Sequence, residues 1–299
     1  MGESSVRAGG GIHTWLCLPL QDTAAVAQGA TISPTKVDAI MPATRTFEIV
    51  KDAAGDKIAF YNSWAENYDQ VDAIMAATRT LEIVKDLFVS VHKDASVGDK
   101  IAFYNSWAEN YDQDAVILDF SAPIQAVNRL TSNFTGDREA AVVLDVACGT
   151  GMVAKQMKTH GFGHFVGIDG SEGMMELARK TGLYQDLRQC IMGVEPLPVQ
   201  WGSFDVVVIT GALSLGHVPV PVVRELCKAA KPGGYICMTT RLDDENAEYK
   251  AALESELKRM EDEGLWRRVE VTEVKEWEKA VNEHEEGYIT GFVYLYKTI

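Results

Sequence analysis

The chain has 299 residues, 46% of them apolar, and a formal net charge of −15 at pH 7. This size and apolar content suit one or two globular domains with a sizeable core. The negative charge disfavours a nucleic-acid partner, because a protein that neutralises phosphates needs a basic surface. No apolar run in the sequence approaches the roughly 18–20 residues of a membrane-spanning helix, so we expect no membrane partner either.

The five cysteines are scattered along the chain, and none belongs to a CxxC pair. Such usage is typical of reduced thiols in a cytosolic protein and disfavours a zinc site or a disulfide framework. We therefore expect a cytoplasmic protein that holds no metal, and a monomer.

Residues 1–35 are rich in Gly, Ala, Ser and Thr, and we predict a flexible tail there. Residues 36–97 are predicted to be a duplicated extra helical segment with an insert. The main domain is predicted to cover residues 98–299 and to begin with a helix.

An internal repeat defines these boundaries. Val37–Asp52 returns as Val71–Asp86 with two substitutions, and Gly55–Gln70 returns unchanged as Gly98–Gln113. The insert, residues 87–97, separates the two halves of the second copy. A solenoid needs at least about three units, so two unequally spaced copies indicate a recent exon duplication or an error in the gene model.

Apolar runs alternate with helix-like segments from Ala140 onward. Strands that alternate with helices of about 10–15 residues predict βαβ units and a parallel sheet. The predicted strands are 140–147, 164–169, 204–212 and 235–241, and the predicted helices are 152–161, 171–182, 221–234 and 246–264. Residues 187–193 form a further short segment, and the runs 266–274 and 291–298 are predicted to add an antiparallel pair at one sheet edge.

The stretch "VLDVACGTG" at Val143–Gly151 is the central chemical signal. A strand leads into a turn whose glycines, Gly149 and Gly151, let the backbone approach a ligand closely. A nucleotide-like ligand at the carboxyl ends of the strands is expected for a doubly wound sheet. The spacing Gly149-x-Gly151-x-x-Ala154 also fits the loose dinucleotide fingerprint, which leaves an NAD-type enzyme open.

Two carboxylates accompany this turn. Asp145 lies inside the strand end, where a dinucleotide site usually wants a small apolar residue, and it suits a ligand with an ammonium group such as S-adenosylmethionine. Asp169 follows at a distance where an acidic residue hydrogen-bonds ribose hydroxyls. Met174, at the start of the next helix, is a candidate to cover an adenine, although methionine there is more often core.

Four motifs together resemble the class I S-adenosylmethionine-dependent methyltransferases: "VLDVACGTG", "GIDGS", "FDVVV" and "KPGG". The chain is more similar still to the methyltransferase-like proteins of the Williams–Beuren syndrome region, through "FYNSWAENYDQD", "EPLP", "GALSLGHVP" and "GFVYLYK". The resemblance covers roughly Gly98–Ile299.

The resemblance implies a Rossmann-like, seven-stranded, mostly parallel sheet with helices on both faces, and S-adenosylmethionine as the cofactor. It implies that the acidic residue which many relatives place near Gly193 is missing here, so that backbone groups recognise the adenine. It also implies these cofactor neighbours: Asp145, Ala147, Gly149 and Gly151 at the methionine moiety, Asp169 with Gly170 beside it at the ribose, Gly193 and Val194 at the adenine, and Thr210 and Gly211 at the floor.

The repeated stretch supplies an aromatic helix face. On a helix, Tyr104, Trp107 and Tyr111 fall at i, i+3 and i+7, on one side. Such a face can cover a ligand and also hydrogen-bond to it. In the methyltransferases that the chain resembles, a helix of this kind closes over the cofactor, so we predict a lid; an ordinary packed helix is the alternative. Trp64 in the first copy is expected to lie outside the cleft.

Methyl transfer needs alignment and exclusion of water more than catalytic groups. His217 is the candidate base for the acceptor, with a structural hydrogen bond as the alternative role. We expect an S-adenosylmethionine-dependent methyltransferase that acts on a small-molecule or protein acceptor. An NAD-type oxidoreductase and a non-catalytic S-adenosylmethionine-binding protein remain the alternatives.

Overall fold

The computed structural model describes residues 81–92, 95–280 and 287–299 of the chain. The predicted tail and the first repeat copy, including Trp64, lie outside the described residues. Within the described residues, three helices precede the first strand: α1 (Leu81–His92), α2 (Val97–Ile117) and α3 (Ala122–Asn133).

Strands and helices then alternate, as the apolar pattern predicts. Their bounds are β1 (Val142–Val146), α4 (Met152–Thr159), β2 (His164–Asp169), α5 (Glu172–Lys180), β3 (Tyr184–Gln189), β4 (Phe204–Ile209), α6 (Val222–Ala229), β5 (Ala230–Leu242), α7 (Ala247–Asp262), β6 (Trp266–Lys279) and β7 (Tyr288–Thr298).

The seven strands within the described residues form one sheet in the order β3-β2-β1-β4-β5-β7-β6. Strands β3, β2, β1, β4 and β5 pair in parallel. Strand β7 runs antiparallel to both β5 and β6. This topology confirms the predicted mostly parallel sheet and its antiparallel pair at one edge.

Helices bury both faces of the sheet. In β1, Leu144 and Val146 belong to one buried cluster, which includes residues of α6 and α7. Val143 belongs to the other cluster, which includes residues of α3 and α4. Parallel strands that are buried on both faces read as continuous apolar runs, and β1 and β4 have that pattern.

The predicted boundaries around β3 and β5 are wrong. The helix predicted for 221–234 ends at Ala229, and β5 begins at Ala230. Pro232 lacks a backbone N–H and Gly233 has φ of 78°, so the chain cannot continue as a helix there. The segment predicted at 187–193 corresponds to β3, which begins earlier, at Tyr184.

Strand β6 extends further than its alternating pattern predicts. It runs to Lys279 rather than to residue 274, and its register against β7 shifts between Val274 and Glu278. A bulge of this kind bends the strand and re-aims its side chains. As a result, Trp277 and Glu278 are buried.

The link from the aromatic helix to β1 is not one continuous helix. Helix α2 ends at Ile117, and Asp119 has φ of 54°. The backbone N–H of Ser121 donates to the carbonyl of Trp277 at 3.0 Å, and Lys279 N–H donates to the carbonyl of Leu118 at 2.8 Å. The end of α2 is therefore fastened to the end of β6.

Helix α2 packs closely against α5. The side chain of Asn105 lies 2.7 Å from Ser171 Oγ and accepts from Gly173 N–H at 3.0 Å. A Cβ atom at Gly173 would lie 2.8 Å from the carbonyl oxygen of Asn105, so the glycine permits this approach. The contact holds α2 across the carboxyl ends of β1 and β2.

Candidate functional site

The loop after β1 has an unusual backbone. Ala147 and Gly149 both have φ of 54°, and Gly151 has φ of 87°. A left-handed conformation costs an L-residue such as Ala147 roughly 1–2 kcal/mol. A Cβ atom at Gly149 would meet nothing within 4 Å, which leaves open space for a ligand beside its backbone.

Asp145 lies at the inner end of this loop and is 1% exposed. Tyr184 donates its hydroxyl to Asp145 Oδ2 at 2.6 Å. Burial raises the pKa of the carboxyl to about 7, against the lowering effect of the Tyr184 hydrogen bond. The other oxygen, Oδ1, is buried and has no hydrogen-bond partner among the described residues. A buried acceptor without a hydrogen bond is energetically unfavourable, so Oδ1 can accept a hydrogen bond from a ligand.

Asp169 joins the loops that follow β1 and β2. Its Oδ2 accepts from Gly149 N–H at 2.8 Å, and its Oδ1 accepts from Ser171 N–H at 2.8 Å. Burial raises the pKa of Asp169, and these backbone hydrogen bonds lower it. The carboxylate therefore fixes the loop geometry, and each oxygen keeps a lone pair for a further donor.

Helix α2 covers the outer side of the same loops. Asp112 accepts a hydrogen bond from Thr150 Oγ1 and pairs with Lys155 at 2.9 Å. Ile101 lies 3.8 Å from the position that a Cβ atom of Gly170 would occupy. The helix thus contacts both of the loops that Asp169 joins.

The aromatic residues of α2 face inward together. The ring of Trp107 lies 5.9 Å from that of Tyr104 and 4.8 Å from that of Tyr111. Trp107 is 4% exposed and donates its indole N–H to the buried Asp114 at 2.6 Å. Burial raises the pKa of Tyr104 to about 12, so its hydroxyl stays protonated at neutral pH.

His217 lies in the loop after β4 and contacts this aromatic face. Its Nε2 is 3.0 Å from the hydroxyl of Tyr104, and its Nδ1 is 3.0 Å from Ser214 Oγ. The imidazole is therefore oriented from both sides. The Tyr104 contact joins the candidate base to the predicted lid.

A cavity of about 50 Å³ lies where the aromatic helix meets the ends of β4, β5 and β6. Five predicted site residues line it: Tyr104, Trp107, Tyr111, Gly211 and His217. The remaining lining residues are Ala115, Leu118, Phe120, Leu213, Ser214, Thr239, Thr240, Arg241, Trp277 and Glu278.

Residues 143–234 match a family model described as "Methyltransferase domain". Residues 143–234 therefore form a methyltransferase domain. The cofactor that this family implies is S-adenosylmethionine.

Two curated relatives agree with the family match. Human Methyltransferase-like protein 27 is 49% identical over 147 residues, which are 49% of this chain and 60% of the relative. A ubiquinone biosynthesis O-methyltransferase from Marinobacter nauticus is 33% identical over 130 residues, 40% of this chain and 52% of the relative. This chain thus spans only between half and three fifths of the curated relatives.

Among solved structures, a SAM-dependent methyltransferase from Thermotoga maritima has a TM-score of 0.44 and 20% identity, and the match covers 65% of this chain and 97% of that one.

The loop geometry fits S-adenosylmethionine better than a dinucleotide. The unpaired Oδ1 of Asp145 is an acceptor for a donor such as the ammonium of a methionine moiety. A dinucleotide would place its pyrophosphate at the start of α4. There it would meet the carboxylate of Asp112, which is bound to Thr150.

The other predicted cofactor neighbours of the methyltransferase domain lie outside the cavity lining. Met174 is 2% exposed within α5, and Val194 is 68% exposed. Gly193 has φ of 85°, and a side chain there would collide with Pro219. Thr210 is half-buried at the end of β4. Their contacts with the cofactor stay predictions.

Cys148 does not have the character of a nucleophile. It is 5% exposed, and burial raises the pKa of its thiol well above the ordinary value. A reactive cysteine needs the thiolate form at working pH. The described residues also contain no cluster of His, Cys, Asp and Glu that would hold a metal ion, and no helix among them is long and apolar enough to cross a membrane.

Sequence reasoning missed the charged side of the cavity. Glu278 is 9% exposed, and burial raises the pKa of its carboxyl to about 7, while the nearby Arg241 lowers it. Arg241 forms an ion pair with the buried Asp243 at 2.7 Å. Glu278 lies beyond the predicted end of β6. Its position in the cavity lining depends on the bulge in that strand, which the sequence does not show.

Proposed function

We propose that this protein transfers a methyl group from S-adenosylmethionine to a small-molecule or protein acceptor. The observation that carries the proposal is the strained loop at Ala147–Gly151, with the unpaired oxygen of Asp145 beside open space at Gly149. This arrangement lies within the methyltransferase domain.

The bound cofactor would supply a methyl group activated by its sulfonium. Asp145 would accept from the cofactor's ammonium, and Asp169 would accept from ribose hydroxyls while it holds the loop through Gly149. The role of Gly193 and Val194 at the adenine rests on the family resemblance.

Helix α2 would orient the cofactor and exclude water. The buried Trp107 and the half-buried Tyr111 line the cavity with aromatic surface, and excluding water strengthens the electrostatic interactions inside. His217 would take a proton from the acceptor through Nε2 once the Tyr104 hydroxyl moves or exchanges its hydrogen bond.

Isothermal titration calorimetry with S-adenosylmethionine, S-adenosylhomocysteine and NAD tests the proposal. Binding of the first two ligands without NAD is the expected result. Binding of NAD alone would contradict the proposal and support an oxidoreductase. Binding of S-adenosylmethionine without turnover of any acceptor in a broad amine and hydroxyl panel would support a non-catalytic binding protein.

A further inference from the structure

The cavity holds a carboxylate that the proposed cofactor site does not use. Glu278 is 9% exposed and lines the cavity, and its side chain makes no hydrogen bond or ion pair among the described residues. Burying a charge is costly unless it is paired. A buried carboxylate that faces a cavity without a partner either takes up a proton or binds a ligand that supplies a donor or a cation.

The walls around Glu278 are aromatic. Trp107, Tyr104 and Tyr111 contribute from α2, Phe120 from the α2–α3 link and Trp277 from β6. The face of an aromatic ring carries partial negative charge and attracts a cation within about 6 Å of its centroid. An aromatic box with one carboxylate is suited to an ammonium group.

Arg241, which also lines the cavity, does not reverse this preference. Arg241 is already paired with Asp243, whose carboxylate lies 2.7 Å from its guanidinium. Glu278 therefore adds a second negative charge to one positive charge. An anionic head group would therefore meet two carboxylates, those of Glu278 and Asp243, beside one guanidinium.

The volume of the cavity limits the size of the ligand. A cavity needs a volume of roughly 10–15 Å³ to hold one water molecule. The volume of about 50 Å³ therefore accommodates a head group of a few heavy atoms. His217 and Tyr104 line the same space, which places a head group beside the candidate base.

We propose that Glu278 and the aromatic walls of this cavity form the recognition site for an acceptor that carries an amine. This proposal rests on the proposed methyl transfer and names the acceptor class for it. Glu278 binds the protonated amine as its counter-ion, and the aromatic rings contact the attached methylene groups. Because an ammonium has no lone pair, it gives a proton to Nε2 of His217, which lines the same cavity, before the methyl transfer. The neutral amine would then form the N–C bond as the C–S bond of the cofactor breaks, and S-adenosylhomocysteine would leave.

The pH dependence of amine binding distinguishes this site from a purely apolar one. Glu278 must be ionised to bind an ammonium, and burial raises its pKa to about 7. The amine remains protonated up to about pH 10. The groups that face Glu278 are Tyr104 and Tyr111 from α2, Arg241 and Asp243 from β5 and its end, and His217. Both tyrosines stay neutral, because burial raises their pKa values.

The experiment measures the binding of three matched probes, propylammonium, propanol and propionate, to the full chain. Ligand-observed NMR gives the affinity of each probe with and without S-adenosylhomocysteine. We expect propylammonium to bind at least about tenfold more tightly than the two other probes. Its affinity should rise between pH 6 and pH 8. Equal binding of the three probes, or tighter binding of propanol, would overturn the proposal; the second result would favour a hydroxyl acceptor.

Two variants assign the effect to one side chain. Glu278→Gln should reduce propylammonium binding about tenfold and leave the affinity for S-adenosylhomocysteine unchanged. Glu276→Gln, which removes the same charge from an exposed position of β6, should change neither. Retained amine selectivity in Glu278→Gln would overturn the proposal. The selectivity and pH profile of the wild-type protein decide the question even where a variant does not fold.

The two proposals fail in different ways. If S-adenosylhomocysteine does not bind to the wild-type protein, the proposed methyl transfer is wrong. If S-adenosylhomocysteine binds but propylammonium shows no selectivity, only the assignment of the acceptor class is wrong.

Discussion

The loop beside β1 and the cavity beneath α2 are built in different ways. The loop groups, from Asp145 to Gly151, are neighbours in sequence, and Asp169 is fixed to them through Gly149 N–H. The cavity instead collects Tyr104, His217, Arg241 and Glu278 from four distant parts of the chain. Local spacing therefore identifies the first region, and only the fold identifies the second.

Their chemistry differs as well. The loop offers backbone approach and an acceptor oxygen on Asp145, which suits a cofactor with many hydrogen-bonding groups. The cavity offers aromatic surface and one buried carboxylate, Glu278, which suits a small head group. Substitution of Glu278 or His217 should therefore leave cofactor binding nearly unchanged, whereas Trp107 belongs to the lid proposed to cover the cofactor and should affect it. The following predictions test that separation.

The largest effect is expected at Gly149. A valine there meets no protein atom at Cβ but projects into the space proposed for the cofactor, so Gly149→Val should weaken S-adenosylmethionine binding more than about 100-fold in calorimetry. Gly182→Val is the matched control, because Gly182 also has positive φ, at 67°, and open space around it. Comparable losses from both variants would show that backbone strain, not ligand contact, causes the effect.

The next effect is expected at Asp169. Asp169→Ala removes the acceptors for Gly149 N–H and Ser171 N–H and for the ribose. Hydrogen bonds to charged groups contribute about 1.5–3 kcal/mol, so the dissociation constant should rise roughly ten- to a hundred-fold. A folded Asp169→Ala protein with unchanged affinity would place the ribose elsewhere.

These two predictions concern the part of the site that the sequence anticipates. The strand–turn–helix pattern and the spacing of Asp145, Gly149 and Gly151 are local, so the fold and the loop could be predicted. The additional partners of Asp145 and Asp169, namely Tyr184 and the loop N–H groups, required the structure.

The positions of Trp277 and Glu278 in the cavity lining could not be predicted from the sequence, and the reason is physical. The alternating pattern of β6 fades before residue 275, and the bulge that carries Trp277 and Glu278 inward depends on pairing with β7. Similarly, the break after Ile117 depends on hydrogen bonds from the α2–α3 link to Trp277. Tertiary pairing determined both features.

A smaller loss of affinity is expected at the lid. Trp107→Ala removes a buried indole and its hydrogen bond to Asp114, and should weaken S-adenosylmethionine binding roughly tenfold, or about 1.4 kcal/mol. Trp64→Ala is the sequence-matched control in the identical first copy and should have almost no effect. Equal losses would mean that both copies share the lid role.

The pH dependence of stability should report the buried carboxyls whose pKa is raised, namely Asp145, Asp169 and Glu278. Burial raises the folded-state pKa values of Asp145 and Glu278 to about 7, above those of the unfolded chain. The protonated forms therefore favour folding, and this contribution is lost as the pH rises from about 4 through 7. For each carboxyl, a tenfold difference in proton affinity between the folded and unfolded chain corresponds to roughly 1.4 kcal/mol.

Chemical denaturation of the ligand-free protein at several pH values measures this slope. Asp145→Asn and Glu278→Gln should each flatten it, whereas Glu276→Gln should not. A free energy of unfolding that increases over this range in the wild-type protein would contradict the assigned protonation states.

The smallest effect on cofactor binding is expected at His217. His217→Ala removes the partner of the Tyr104 hydroxyl but no proposed cofactor contact, so the dissociation constant for S-adenosylmethionine should change less than about twofold. With an amine acceptor, the rate of the chemical step should fall. A fully active His217→Ala variant would show that His217 is not the base.

The most direct test of the separation between loop and cavity is a crystal structure with S-adenosylhomocysteine bound. We predict that its ammonium lies beside Asp145 and its ribose beside Asp169. Its thioether sulfur should face the cavity that Tyr104, His217 and Glu278 line. A complex in which the sulfur points away from that cavity, or in which the ligand occupies the cavity itself, would contradict this separation.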